Sequence, residues 1–538
     1  GTLVLTGNNT YTGTTTIAPW SWESATIQVG NGGTTGTLGS GTVTSSGDYE
    51  SCAQLVYKRS DGVTASNAVT GQVNVTIASG STLKAGGSSA CGLPNGTSGT
   101  GDVTISGTLD LAGYSPTVGK LSGSGTVTSG VSGTATLTVN CGGYESSTFP
   151  GVIEDGSGTV ALAKTGSNNL YLTGANTYSG GTTISSGTLY VGSGGSSGTL
   201  GTGAVVNNAA LVFYRSGTTT VANAISGSGT LTQTLGTLVL TGNNTYTGTT
   251  TIAVGATVRV AGTSGALGTG QVTCEYDYPY YPAGELVFDR SANLTVGNVI
   301  SGFLRLVQEG SGEVTLTGAN TYTEGTTVGA GSTLRVGAGG TAGALGAAGD
   351  PYYGSGGVTV EAGGVLAFNR SDSATVSHAI SGAGSIRQEG SGTLILTGTT
   401  SLGDAAIDDG TLRVEGSVTV TNPLSNQGTL LVVGDGVFTH AGRRIAGSAA
   451  SVSAGEVFLT STGLGTETTT FDFEISADGL SYYPIASGGA ADAQAMLSGL
   501  RPNTNYYLRG RAAHPGGGEE IYDGGMVTTG PGPGPGVA

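Results

Sequence analysis

Charge is what this sequence has least of. Lys, Arg, Asp and Glu together make 10% of its 538 residues, with 18 basic against 34 acidic side chains and a net charge of −16. Such a chain carries no basic patch, which excludes nucleic acid and anionic membrane as partners. No apolar run approaches the roughly 20 residues of a membrane-spanning helix. Histidine is almost missing: His378, His440 and His514 each stand alone in their segments, so neither a triad nor a zinc pattern can be assembled around them. No metal or cofactor is expected. The four cysteines, Cys52, Cys91, Cys141 and Cys274, include no CxxC pair. They read as two disulfides of an oxidising compartment, with three connectivities open. The chain opens on Gly1 rather than Met and shows no signal segment, and so reads as processed or excised.

Glycine is what is abundant. There are 103, well above the usual share of about 7%. They follow no every-third-residue period, which excludes collagen. Disorder is the serious rival for a Gly/Ser/Thr-rich chain. Regularly spaced Val, Ile, Leu and Tyr argue against it, because each segment supplies one apolar face for a neighbour to cover.

Internal repetition decides the architecture. GTLVLTGNNTYTGTTTIA at 1–18 returns letter for letter at 236–253, with looser copies from Asn169, Glu313 and Thr393. Each copy alternates apolar and polar residues, turns at an Asn/Gly cluster, and alternates again: strand, tight turn, strand. Between copies the phrases also recur in order, at a spacing of about 70–80 residues. A solenoid turn of three short strands takes about 20–25 residues, so one copy should make about three turns. Residues 1–450 would then form a rod of roughly 20 turns and ~95 Å, irregular at 71–150. Equivalent strands should stack into interior columns. Leu189/Val191, Val258/Val260, Leu334/Val336 and Leu412/Val414 read as one such set. Burial of each Leu or Val, worth about 1.5–3 kcal/mol, offsets the ordering cost of so much glycine.

The phrase G-(T/S)-L-x-LTG-x-NTY-x-G-TT-(I/V)-x-x-G-TL-x-VG resembles the passenger-associated repeat of bacterial autotransporters. The linking phrases GVIEDGSGTVALAKTG at 151–166 and NAISGSGTL at 223–231 are similar to that family as well. The resemblance implies a right-handed parallel β-helix on a bacterial surface. No membrane barrel follows the repeats, a departure from self-transport through the outer membrane.

Near residue 450 the style changes. Leu500, Pro502, Thr504 and Tyr506 match the L-x-P-x-T-x-Y tyrosine corner and resemble that of fibronectin type III domains. The fold expected is therefore all-β: a parallel β-helix over 1–450, a small β-sandwich over 451–530, and a Gly/Pro tail at 531–538.

Little in the chain suggests catalysis. Gly194–Gly198 fits G-x-S-x-G without the strand-to-helix elbow that motif needs. Asp404, Asp408 and Asp409, or Asp48 with Glu50, read as solvated loop acids against the alternative of a calcium site. The recurring (F/Y)-x-R-S phrase, at Tyr57, Phe213, Phe288 and Phe368, reads as an interior aromatic followed by an Arg capping corner carbonyls, against the alternative of a ligand-binding Arg row. Three insertions break the repeat: Trp20 and Trp22; Tyr276, Tyr278, Tyr280 and Tyr281, with Tyr49 in the corresponding place of the first copy; and Tyr352 with Tyr353. Insertions on solenoids concentrate on one face and often bind. Contact with another copy, stacking on surface glycans and inert decoration are the three readings.

The function expected is a non-enzymatic, extracellular structural protein of a bacterial surface, as a filament subunit or an adhesin stalk. One alternative is a secreted passenger binding host or matrix glycans. The other is a β-helical polysaccharide-degrading enzyme, which would need a groove gathering two or more carboxylates with a Lys or Arg. Head-to-tail assembly is expected because the repeat at Gly1 lacks the strand GTLTQTL that precedes its twin. Its strand edge would accept the C-terminal domain of another copy.

Overall fold

The structure is a computed structural model. It describes all residues except 21–22, 47–51, 90, 95–100, 143–145, 276–281, 350–355, 433–435, 441–442, 447–450, 454–455, 461–469, 477–482, 489–493, 499–504, 514–518 and 529–538. Every regular element among the described residues is a β-strand. The chain divides into two compact units, Gly1–Glu275 and Tyr276–Ala538.

The first unit is a parallel solenoid with three strand columns per turn. Its first column runs Leu3, Ile27, Leu55, Val75, Val103, Leu121, each paired in parallel with the next. The column crosses to Ser147, whose hydroxyl both donates to the Leu121 carbonyl and accepts its N–H. Ser147 then pairs with Leu170. Seven such steps separate Leu3 from Leu170. Residues 71–150, irregular in sequence, thus contribute parallel strands such as Val73–Ile77 and Thr134–Asn140. Alternation is what makes these strands: Val73, Val75 and Ile77 are fully buried while Asn74 and Thr76 face outward.

A repeat does not close after whole turns. Leu170, Leu189, Leu211 and Leu231 lie in one column, three steps. The next copy's equivalent of Leu170 is Leu238, one strand further on, where it pairs with Thr219 and Val258. The second unit repeats this. Val314, Leu334, Leu366 and Ile386 share a column, but Leu394, the counterpart of Val314, pairs with Ala374 and Leu412. A copy therefore takes three turns plus one strand, and its signature moves to the adjacent face each time. This corrects the single set of columns expected above. Leu189, Val258, Leu334 and Leu412 are all interior, yet Leu189 and Val258 occupy neighbouring columns, as do Leu334 and Leu412. The motif fixes the local turn, and the number of strands per copy fixes which face it lands on.

In the second unit the parallel coil runs through Thr429–Val432 and Val437–His440, the latter turning back antiparallel against Arg443–Ala446. Beyond it, Ser451–Ser453, Glu456–Thr460 and Gln494–Ser498 pair antiparallel. A second antiparallel set contains Tyr483–Gly488, Thr470–Ser476, Asn505–Ala513 and Glu519–Thr528. Its last strand also pairs in parallel with the solenoid strand Thr429–Val432. Backbone hydrogen bonding therefore crosses the change of style near residue 450.

Candidate interaction surface

The repeat signature builds locks inside the coil. Asn176 accepts a hydrogen bond from the Ile153 N–H of the turn below (2.9 Å) and donates to the Thr199 carbonyl of the turn above (2.7 Å). Asn244 bridges Ile225 and Ala266 in the same way, and Asn320 bridges Ile300 and Ala344. The following tyrosine, Tyr178, Tyr246 or Tyr322, is buried with its hydroxyl 2.7 Å from the threonine four residues on. Burial raises the pKa of all three, that of Tyr322 to about 12. Glycine in the GTLG phrase is a contact requirement: a Cβ on Gly201 would lie 2.1 Å from the Tyr178 carbonyl and 2.5 Å from its ring.

The (F/Y)-x-R-S phrase is an interior aromatic with an arginine clamp. Tyr57, Phe213, Phe288 and Phe368 are at most 2% exposed. Arg59 donates to the carbonyls of Thr34 and Gly36 and pairs with Asp61. Arg215 holds Ser196 and Gly198, and Arg370 holds Gly343 and pairs with Asp372. Buried amides close other corners: Gln308 donates to Gly310 and Gly312, and Gln388 to Gly390 and Gly392. Lys164 stands in that position in an earlier copy, its ammonium on the carbonyls of Thr165, Gly166 and Ser186. Burial pulls its pKa below the ordinary lysine value. These polar side chains serve the backbone.

Of the aromatic loop residues singled out in the sequence, Trp20 is described, and it is 81% exposed. Trp22, Tyr49, Tyr276, Tyr278, Tyr280, Tyr281, Tyr352 and Tyr353 lie outside the described residues, as do Leu500, Pro502 and Thr504. Tyr506 falls on the strand Asn505–Ala513, opposite Val527. The disulfide expectation is corrected. Cys91 and Cys141 are buried free thiols on separate turns, Cys141 beside Lys164 and Ser147; Cys274 is buried with its Sγ 3.7 Å from the Glu275 carbonyl, and the Cys52 side chain lies outside the described residues. Burial pushes the thiols of Cys91 and Cys141 up. Of the acids, Asp408 pairs with Arg387 and Asp404 accepts from Asn422. No cluster of three or more metal-ligating side chains occurs among the described residues.

Two features of the outer surface escaped the sequence reading. Tyr171 and Tyr190, register partners on consecutive turns, stack with ring centroids 4.4 Å apart. They occupy the outward position between two interior apolar residues, filled by Val239 and Arg259 in the next copy. A departure at an outward position was the available signal. In the second unit, Arg335 pairs with Glu313 (2.5 Å) and Glu389 (2.9 Å), and Arg387 with Asp408 (2.8 Å) and Glu389 (3.9 Å). Ala367 lies between the two arginines in register and is fully covered. Its small side chain lets Arg335 reach across a whole turn. Three carboxylates and two guanidiniums thus meet on one face, each paired within the group.

The first unit also holds two surface cavities, of about 320 and 350 Å³, whose linings correspond residue for residue except for Ala175, which only the second has. Asn9, Thr10, Leu38, Thr64 and Asn67 of the one occupy the places of Asn176, Thr177, Leu200, Thr220 and Asn223 of the other. Asn67 and Asn223 shape them, donating to the carbonyls of Gly39 and Gly41, and of Gly201 and Gly203.

The repeat matches a known family. Residues 1–18, 162–191, 235–260, 306–336 and 386–414 match the passenger-associated-transport-repeat. Each matched segment after the first carries one of the buried polar locks described above. The chain is also 32% identical over 168 residues to the adhesin BmaC autotransporter of Brucella suis biovar 1 (strain 1330). That match covers 27% of this chain and 5% of the Brucella protein. No solved structure matches.

Proposed function

We propose that the chain is part of a non-enzymatic, adhesin-type passenger displayed on the outside of a bacterial cell. The observation that carries this is the use of the signature residues. Asn176, Asn244 and Asn320 are spent on joining one turn to the next, and the Tyr, Thr and Gly around them on packing the interior, so the repeat makes a scaffold whose outer faces are free to vary. The similarity to an autotransporter adhesin supports the setting. The three- and four-stranded antiparallel sets beyond residue 450 support a fibronectin type III-like module at the C-terminal side. Head-to-tail self-association rests on the sequence alone. Sedimentation velocity tests it, and a monomer at every concentration would refute it.

Beads coated with the purified chain should be retained on epithelial monolayers or matrix proteins more strongly than albumin-coated beads. Equal retention on every surface refutes the adhesin reading. A second reading, polysaccharide cleavage, is favoured by the gathering of Glu313, Glu389 and Asp408 with Arg335 and Arg387. Their mutual pairing weighs against it, because each charge already has its counter-ion. Release of reducing ends from a uronate polymer, lost in Glu389→Gln, would establish that reading in place of the first.

A further inference from the structure

The two matching cavities of the first unit carry hydroxyls that take no part in holding turns together, yet the chain specifies the same lining twice. Four hydroxyls recur in each; Thr37 and Thr199 donate to the Asn9 and Asn176 carbonyls, which leaves Thr10, Ser40 and Thr64 in one, Thr177, Thr202 and Thr220 in the other. These last six are exposed and make no hydrogen bond from their side chains to another described residue. The floor beneath them is apolar in both, Val29, Leu38 and Tyr57 corresponding to Val191, Leu200 and Phe213. No Asp, Glu, Lys or Arg lines either cavity. Arg59 and Arg215 nearby are turned onto loop carbonyls.

We propose that these cavities are paired subsites for a neutral oligosaccharide. An uncharged wall of hydroxyls, each able to donate and accept, over an apolar floor complements a sugar ring with its hydroxyl rim and C–H face. The volumes, at the lower end of the roughly 300–1,000 Å³ of small-molecule pockets, suit a short stretch of sugar rather than a folded partner. A polyanion gains nothing from an uncharged wall and is opposed by the chain's net charge of −16. Both cavities lie on the same face, because Leu3 and Leu170 share a column. Seven turns at about 4.8 Å place them ~34 Å apart. A long saccharide engaging one subsite is thereby held at high effective concentration near the other.

The proposal gives the adhesin reading its ligand class and rests on it for the biological setting. Its test uses soluble sugar rather than cells, so either can fail alone. Saturation-transfer NMR on the full chain, with maltohexaose and cellohexaose as probes and oligogalacturonate as the charged control, should show transfer from at least one neutral probe. Thr64→Trp and Thr220→Trp fill one cavity each from an exposed strand position. Each should cut the transfer about twofold, and the double variant should lose at least tenfold, with an unchanged circular dichroism spectrum. If a tryptophan disturbs the fold, the Thr64→Ala/Thr220→Ala pair removes the hydroxyls alone and should weaken the transfer in the same sense. Absence of transfer from both neutral probes overturns the proposal. So does a folded double variant that binds normally, or an oligogalacturonate that binds as well as the neutral sugars.

Discussion

The turn-to-turn bridge at Asn176 gives a prediction with a calculable size. Asn176 is 3% exposed, and Ile153, whose N–H it accepts, is fully buried. Replacing it by alanine strands that N–H, and also removes the donor to the half-buried Thr199 carbonyl. An orphaned buried polar group costs about 1–3 kcal/mol, and the carbonyl, partly reached by water, belongs at the low end. The sum is about 2–4 kcal/mol, concentrated at one junction between turns. A solenoid does not unfold as a single unit, so the loss should be read locally. Hydrogen-exchange mass spectrometry should show the amide of Ile153 exchanging roughly 30- to 1,000-fold faster in Asn176→Ala. Asn9 is the internal control. Its amide donates to Thr37 and Gly7 carbonyls in a partly exposed setting, and alanine there should cost under about 1 kcal/mol. Unchanged protection at Ile153, or equal effects at the two asparagines, would refute the idea that the repeated Asn joins successive turns.

Two further predictions concern titration and thiols. His378 stands where earlier copies have Asn67 and Asn223; burial holds its pKa below the ordinary 6.5 and leaves its Nδ1 without a partner. The unfolded chain therefore binds this proton more readily than the folded one, so stability is full above about pH 6.5 and is lost as pH falls below it. The melting temperature should decline between pH 7 and 5 in the native protein and stay flatter in His378→Asn; parallel curves would refute this. Cys91 and Cys141, free and buried, should resist iodoacetamide at pH 8 until urea is added, and then react without reductant. Labelling of the native protein, or failure to label after unfolding, would refute that assignment.

What was legible in the sequence, and what was not, divides along the range of the interaction. Alternation of Leu170, Leu172, Leu189 and Val191 with outward residues is a local pattern, and it announced parallel strands with interior columns. The arginine clamps were legible too, since Arg59, Arg215 and Arg370 follow an interior aromatic by two residues and reach carbonyls of a glycine-rich corner on the adjoining turn. The disulfide expectation failed because cysteine count and compartment say nothing about distance, and three thiols ended on separate buried turns. The face on which each copy lands was invisible for a different reason. A spacing of about 70–80 residues and a turn of about 20–25 residues are both compatible with three turns or with three and a third. Only the pairing of Leu238 with Thr219 rather than with Leu231 decides between them. That one-strand remainder has a consequence for any surface site. Features encoded in successive copies, such as those at Asn176 and Asn244, are carried to neighbouring faces and cannot line up on one face. The first copy and the one at Asn169 escape this, because seven whole turns separate them. Alignment of two equivalent cavities on one face is therefore a property of the irregular stretch at 71–150, whose length restores the phase that the regular repeat loses.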